Sequence, residues 1–213
     1  MKSAAVALAL LAASAQAYYL PGIEPVSYKE GDDVDVIANG LHSVSALMPF
    51  GYYKLPFCQP REIESHHETL GEVLMGDRME SSPYQFKMAQ STKCELLKCG
   101  ATKLDKDATA IFEKFIETNY RAFLVLDNLP VFNNGSLINN GRCEKVAKAN
   151  QYEFLRGYAV GVRKTCTGTQ TYVNNHLHFR IQYHRPAADP TAYRVVGFTA
   201  TPASVAHTTN SKG

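Results

Sequence analysis

Three histidines near the end of the chain, His176, His178 and His184, lie at even spacing within TYVNNHLHFRIQYH. In a strand, residues two apart project from the same face, so these imidazoles share one side. Neutral imidazole is a common zinc ligand, and alternate strand positions can donate to one ion. A closed site needs further ligands, however, and no Cys, Asp or Glu stands at a diagnostic spacing. Arg180 lies on the same face and repels a cation. His66-His67-Glu68 is weaker still, because adjacent side chains diverge in any regular structure. The expectation is a solvated polar face, with no metal bound.

Acid–base chemistry would fall to Glu68, Glu72, Asp77 and Glu80, within ETLGEVLMGDRMESSPYQFKM. Two opposed carboxylates can hydrolyse a glycosidic bond, but the chain has no Trp and no other mark of a sugar groove beside them. Gly71 and Gly76 have the separation of a phosphate loop. Asp77-Arg78 follows where Lys-Ser/Thr is required, and a carboxylate there repels phosphate. Neither G-x-S-x-G nor H-E-x-x-H occurs. The glycines read as turn or close-approach positions. No catalytic residue, cofactor or metal ligand is expected.

The elements that would position these residues are mostly strands. VDVIAN alternates after a turn at Glu30-Gly31-Asp32-Asp33, and residues 49–60 form an extended, tyrosine- and proline-rich segment. Ser81-Ser82-Pro83 breaks the chain before YQFKM, whose Tyr84, Phe86 and Met88 share a face. In TYVNNHLHFRIQYH, Leu177, Phe179, Ile181 and Tyr183 oppose the histidines, and YRVVGFTATP is the expected antiparallel partner. One helix is predicted over residues 106–120. Ala108, Ile111, Phe112, Phe115 and Ile116 make its apolar stripe, and Asp105 or Asp107 caps it. AFLVLDNLP reads as a buried strand ended by Pro130, and Asn133 to Asn140 as a loop. The fold class expected is mainly β: a two-sheet antiparallel sandwich with one amphipathic surface helix.

The N-terminus, MKSAAVALALLAASAQA, has a basic start, a short apolar run and an A-x-A end, the pattern of a secretory signal peptide over residues 1–17. The apolar run is shorter than the ~20 residues a membrane span needs. The expected domain therefore covers residues 18–213. Without Lys2 the 22 basic residues become 21 against 20 acidic ones, scattered along the chain, so no nucleic-acid surface is expected. Entry into the secretory pathway permits disulfides. Five cysteines allow at most two internal bridges. Cys94–Cys99 across a turn and Cys143–Cys166 flanking an irregular region are the expected pairs, although spacing alone does not fix connectivity. Asn134-Gly135-Ser136 is a glycosylation sequon in what reads as a surface loop.

Seven blocks carry a resemblance beyond these patterns. They are YLPGIEPVSYKEGDDVDV, YYKLPFCQP, ETLGEVLMGDRMESSPYQFKM, LDNLPV, GYAVG, VNNHLHFRIQYH and YRVVGFTATPASVAH. In this order they resemble the N-terminal region of the transmembrane 9 superfamily, also called nonaspanins or endomembrane protein 70 proteins. Cys94 and Cys99 are one residue further apart than that family's pattern. The resemblance implies a lumenal domain that precedes membrane spans, the spans themselves being missing from this chain. It further implies no catalytic residues, lumenal parts of cargo membrane proteins as partners, and a place in Golgi or endosomal sorting. From another class, a secreted β-sandwich that binds a ligand or carbohydrate is the alternative. A metal-dependent hydrolase using the histidine face is a third.

Overall fold

The computed structural model describes residues 26–46, 48–65, 78–99, 103–135, 153–187 and 189–206. The signal peptide, the residues His66 to Asp77 and Cys143 lie outside them.

In chain order the elements are β1 (Asp33–Ser43), a single 3-10 turn (Tyr52–Lys54), β2 (Glu80–Lys87), α1 (Lys106–Glu117), β3 (Tyr120–Leu126), β4 (Leu129–Pro130), β5 (Phe132–Gly135), β6 (Glu153–Arg156), β7 (Tyr158–Ala159), β8 (Gly161–Val162), α2 (Lys164–Thr167), β9 (Tyr172–Val173), β10 (His176–His184) and β11 (Arg194–Ala203). One sheet runs β2-β1-β3-β4, with β7 also on β3; a second runs β10-β11-β5-β6; β8 and β9 form a small ribbon. Among the described residues no helix is long and apolar enough to cross a membrane.

The two-sheet sandwich is mainly β, as the alternation implied. Val34, Val36 and Ala38 of β1, Ala122 and Leu124 of β3, and Phe198 and Ala200 of β11 are all buried in one core. Phe179 of β10 joins the sheets, stacking on Phe198 at 5.6 Å and meeting Tyr84 and Phe86 of β2 edge-on at 5.1 and 5.3 Å. Burying an aromatic side chain of this size is worth roughly 1.5–3 kcal/mol. The β10–β11 pair is antiparallel, as expected. One pair departs from the antiparallel rule: β5 runs parallel to β11.

That exception has a local cause. After β3 the chain turns on Asp127 and Asn128, both at positive φ (48° and 60°). Two left-handed residues make the tight hairpin that matches strand twist, and Asp and Asn tolerate the conformation. The expected strand therefore ends at Leu126, and Pro130 sits in the return strand β4. The next residue, Val131, is fully buried and crosses from the first sheet to the second. Gly157 makes the return crossing from β6 to β7, and its N–H donates to the Val131 carbonyl at 2.8 Å. The buried guanidinium of Arg121 donates to the carbonyls of Arg156 (3.0 Å) and Gly157 (2.6 Å), closing the corner.

Gly157 must be glycine: its φ is +72°, and a Cβ would lie 2.8 Å from the Ala122 carbonyl oxygen. Gly161 is excluded from bearing a side chain by contact, since a Cβ would strike the Tyr172 carbonyl and come 2.5 Å from Ile116.

α1 starts where expected, with the Asp105 carboxylate accepting from Ala108 N–H at 2.7 Å. It ends at Glu117, three residues early, because Asn119 adopts φ +58° and its N–H bonds the Ile116 carbonyl. Phe112, Phe115 and Ile116 are buried, while Ile111 is 38% exposed and lies off the packed stripe. A second short helix, α2, was not expected.

β2 runs through Pro83 instead of starting after it. As an edge strand it tolerates a residue without an N–H, and the Ser82 hydroxyl donates to the Val36 carbonyl at 2.5 Å where the ladder is interrupted. TYVNNHLHFRIQYH is two strands, not one. Asn174 interrupts it by turning inward, its Nδ2 donating to the Ala159 carbonyl at 2.8 Å.

Candidate functional site

β10 carries the histidines on the outer face of the second sheet. His178 and His184 are exposed and His176 is half-buried. Successive strand residues advance about 3.3 Å, so His178 and His184 stand on the order of 20 Å apart along β10. Cys94 approaches His176, with Sγ 3.8 Å from Nδ1. Among the described residues no three His, Cys, Asp or Glu side chains are placed to hold a metal ion. Tyr183, expected on the apolar side, is 43% exposed and meets Tyr193 edge-on at 5.1 Å. The strand pairing shifts by a residue between Gln182 and Tyr183, which offsets the alternation there.

Of the four carboxylates considered for acid–base work, Glu80 is described. Lying at the start of β2, it pairs with Ala38 of β1, and its Oε2 is buried without a hydrogen-bond partner among the described residues. Glu68, Glu72 and Asp77 lie outside those residues, as do His66, His67, Gly71 and Gly76. Arg78 follows directly, with its N–H on the Asn39 carbonyl at 2.9 Å.

A second polar cluster, which periodicity did not single out, lies in the interior. The hydroxyls of Tyr52 and Tyr158 are 3.0 Å apart, and each side chain is about 1% exposed. Tyr84 joins them through side-chain hydrogen bonds. Burial, reinforced by the neighbouring phenols, pushes the Tyr52 and Tyr158 hydroxyls well above the ordinary phenol range. Desolvation also raises Tyr53, whose hydroxyl donates to the Ser81 carbonyl at 2.6 Å. Tyr52 stacks on Phe57 at 4.7 Å, and Phe57 meets Phe112 of α1 at 5.5 Å. The YYKLPFC segment thus packs the helix against the first sheet. The Tyr52 and Tyr158 phenols stay protonated at neutral pH and are sealed from solvent, so they bind one another, while Tyr53 and Tyr84 are only partly buried.

The cysteines correct the expected pairing. Cys58 bonds Cys99, with Cα atoms 5.9 Å apart, and Cys94 is free and exposed. The local Cys94–Cys99 bridge is therefore not formed. Its alternative fastens the aromatic segment at Cys58 to the loop before α1, a long-range closure that spacing within C-x-x-x-x-C does not reveal. Cys166 is disulfide-bonded as well, and its expected partner, Cys143, lies outside the described residues.

The sequon also sits differently. Asn134 belongs to β5 and pairs through its backbone with Phe154 of β6, so this part of the expected loop is strand. Two Asn in a row read as a turn in the sequence; insertion between β11 and β6 overrides that preference.

The model of the endomembrane protein 70 family matches residues 49–212. Transmembrane 9 superfamily member 9 of Arabidopsis thaliana is 37% identical over 91% of this chain and 29% of its own length. Transmembrane 9 superfamily member 4 of Homo sapiens is 35% identical over 89% of this chain and 30% of its own. Putative phagocytic receptor 1a of Dictyostelium discoideum is 34% identical over 88% and 28%. No solved structure matches. The chain spans about three tenths of the length of these relatives. With the ordered sequence blocks and a sandwich built around them, the chain belongs to the endomembrane protein 70 family, the transmembrane 9 superfamily.

Proposed function

We propose that this chain is the lumenal, non-enzymatic recognition domain of a multi-pass membrane protein that sorts other membrane proteins in the Golgi–endosomal system. The observation that carries the reading is family membership over nearly the whole chain, which accounts for only about three tenths of its relatives. The signal-peptide pattern and the Cys58–Cys99 bridge support a domain that folds in an oxidising lumen. The scattered histidines and the sealed tyrosines support recognition without chemistry. Its partners are then lumenal parts of cargo membrane proteins, and Asn134 is a glycosylation acceptor.

The test expresses the protein from its gene together with any reading frame downstream of Gly213. Intact microsomes should protect the domain from protease until detergent is added. Enzymatic deglycosylation should shift its mass, and Asn134→Gln should abolish that shift. Deleting the domain should redistribute membrane proteins among endomembrane compartments. Digestion without detergent would show a cytosolic domain and overturn the reading.

A further inference from the structure

Among the described residues the two sheets have five outer strands, and four are short or guarded, β7 being a two-residue strand beside β4 on β3. β2 contains Pro83 and is met at its start by a bridge from Ser65 to Glu80. β4 has two residues and β6 has four. The fifth, β10, has nine residues, no proline, and β11 on one side only. Among the described residues no strand pairs with its other edge from Leu177 to His184, while His176 at its start meets Cys94. A long open edge presents a row of backbone donors and acceptors that natural folds usually cover, charge or interrupt.

The side chains beside that edge have one sign. A register row crosses the outer face of the sheet from Arg180 to Thr199, to Phe132, to Arg156. Arg194 pairs with His184 at one end, and His178 lies between Arg180 and the other. Arg180 is exposed; its carbonyl accepts from the Thr199 hydroxyl at 3.4 Å, and its guanidinium has no polar partner among the described residues. Neither β10 nor β11 contains an Asp or Glu. The nearest carboxylate in sequence, Asp189 in the connecting turn, is occupied by the Thr191 N–H at 3.0 Å and hydroxyl at 2.6 Å. Such a face disfavours a second copy of itself edge to edge, because like charges would be juxtaposed.

The geometry points to β10 as a docking edge for an extended, acidic segment of a partner polypeptide. The segment adds a strand to the second sheet through main-chain hydrogen bonds, and a carboxylate on its outer face lies over Arg180, while Arg194, one strand further in, is held by Ser27 at 3.2 Å. Strand addition takes its affinity from the backbone and its selectivity from alternate side chains, so the partner is a class of sequence and not one protein. This assignment concerns the strand itself and holds whether or not the sorting role does.

The probe is a fluorescein-labelled octapeptide of alternating Val and Glu, titrated with the purified full chain by fluorescence polarisation. Binding is expected, with slowed amide exchange confined to β10. Two peptide controls follow: one N-methylated at every Val, which keeps the charge and removes strand donors, and one with Lys for Glu. Both should bind at least tenfold more weakly. Arg180→Glu should weaken the acidic peptide about tenfold or more, and Arg180→Gln by less, with circular dichroism unchanged. Equal binding of the N-methylated peptide would reduce the effect to charge alone and overturn strand addition. Equal binding of the Lys peptide, failure of the acidic peptide to bind, or sedimentation as a dimer through β10 would each overturn the assignment as well.

Discussion

The interior tyrosines and the histidines of β10 both place a polar group on an aromatic ring, and the fold uses them in opposite ways. Tyr52, Tyr84 and Tyr158 come from three distant segments and converge. Their hydroxyls satisfy one another, so the cost of burying them is offset only while the set is complete. His176, His178 and His184 come from one strand and stay apart, because a strand spaces its residues along a line. Convergence of polar groups therefore comes from tertiary crossing, and periodicity within one element yields a face.

The sharpest way to break this contrast is to remove a whole tyrosine. Tyr158→Ala should cost about 3–5 kcal/mol in urea or thermal unfolding, as expected for a large buried ring. A cost below ~1 kcal/mol would mean that the cluster is not packed as described.

Alkaline titration tests the same group without mutation. Tyr52 and Tyr158 have raised pKa values in the folded state, so above pH ~10 the unfolded chain loses phenolic protons that the folded chain keeps. Proton loss on unfolding makes stability fall as pH rises. Their contribution is complete below pH ~10 and declines above it by about 1.4 kcal/mol per pH unit for each tyrosine. Unfolding midpoints measured between pH 9 and 11 should fall more steeply than those of a Tyr52→Phe/Tyr158→Phe protein, which keeps the raised Tyr53 and Tyr84.

Tyr52→Phe alone should cost about 1–3 kcal/mol, since it leaves the Tyr158 hydroxyl short of a buried partner. The double Phe variant should cost less than the two singles added together, and strict additivity would argue against a direct hydroxyl pair. At the small end, His178→Ala should change stability by no more than about 0.5 kcal/mol. Calorimetry with zinc should give no stoichiometric site on the domain; saturable binding lost in His178→Ala would recast the face as a metal centre.

The sequence displayed what is periodic and hid what is crossed. Alternation in β10 and β11 and the stripe of Phe112, Phe115 and Ile116 could be read directly, since each depends on neighbours in the chain. The corner could not. LDNLPV and GYAVG stand apart in sequence, yet Val131 of one and Gly157 of the other are hydrogen-bonded, and Arg121 spans the join. Pro83 misled in the other direction: it breaks strands in general, but an edge strand with Ser82 supplying a donor absorbs it. Asn119 and Asn128 carried an available signal, because Asn accepts a left-handed backbone. A left-handed turn occupies only one or two residues, too few to register as a periodicity.

The bond between Cys58 and Cys99 has a practical corollary for anyone handling the protein. It closes a covalent ring that contains all of β2. A single protease cut anywhere between Glu62 and Lys98 would leave the two pieces tethered, migrating as one molecule until a reductant is added. Damage in this stretch is then invisible on a non-reducing gel, and integrity has to be judged after reduction.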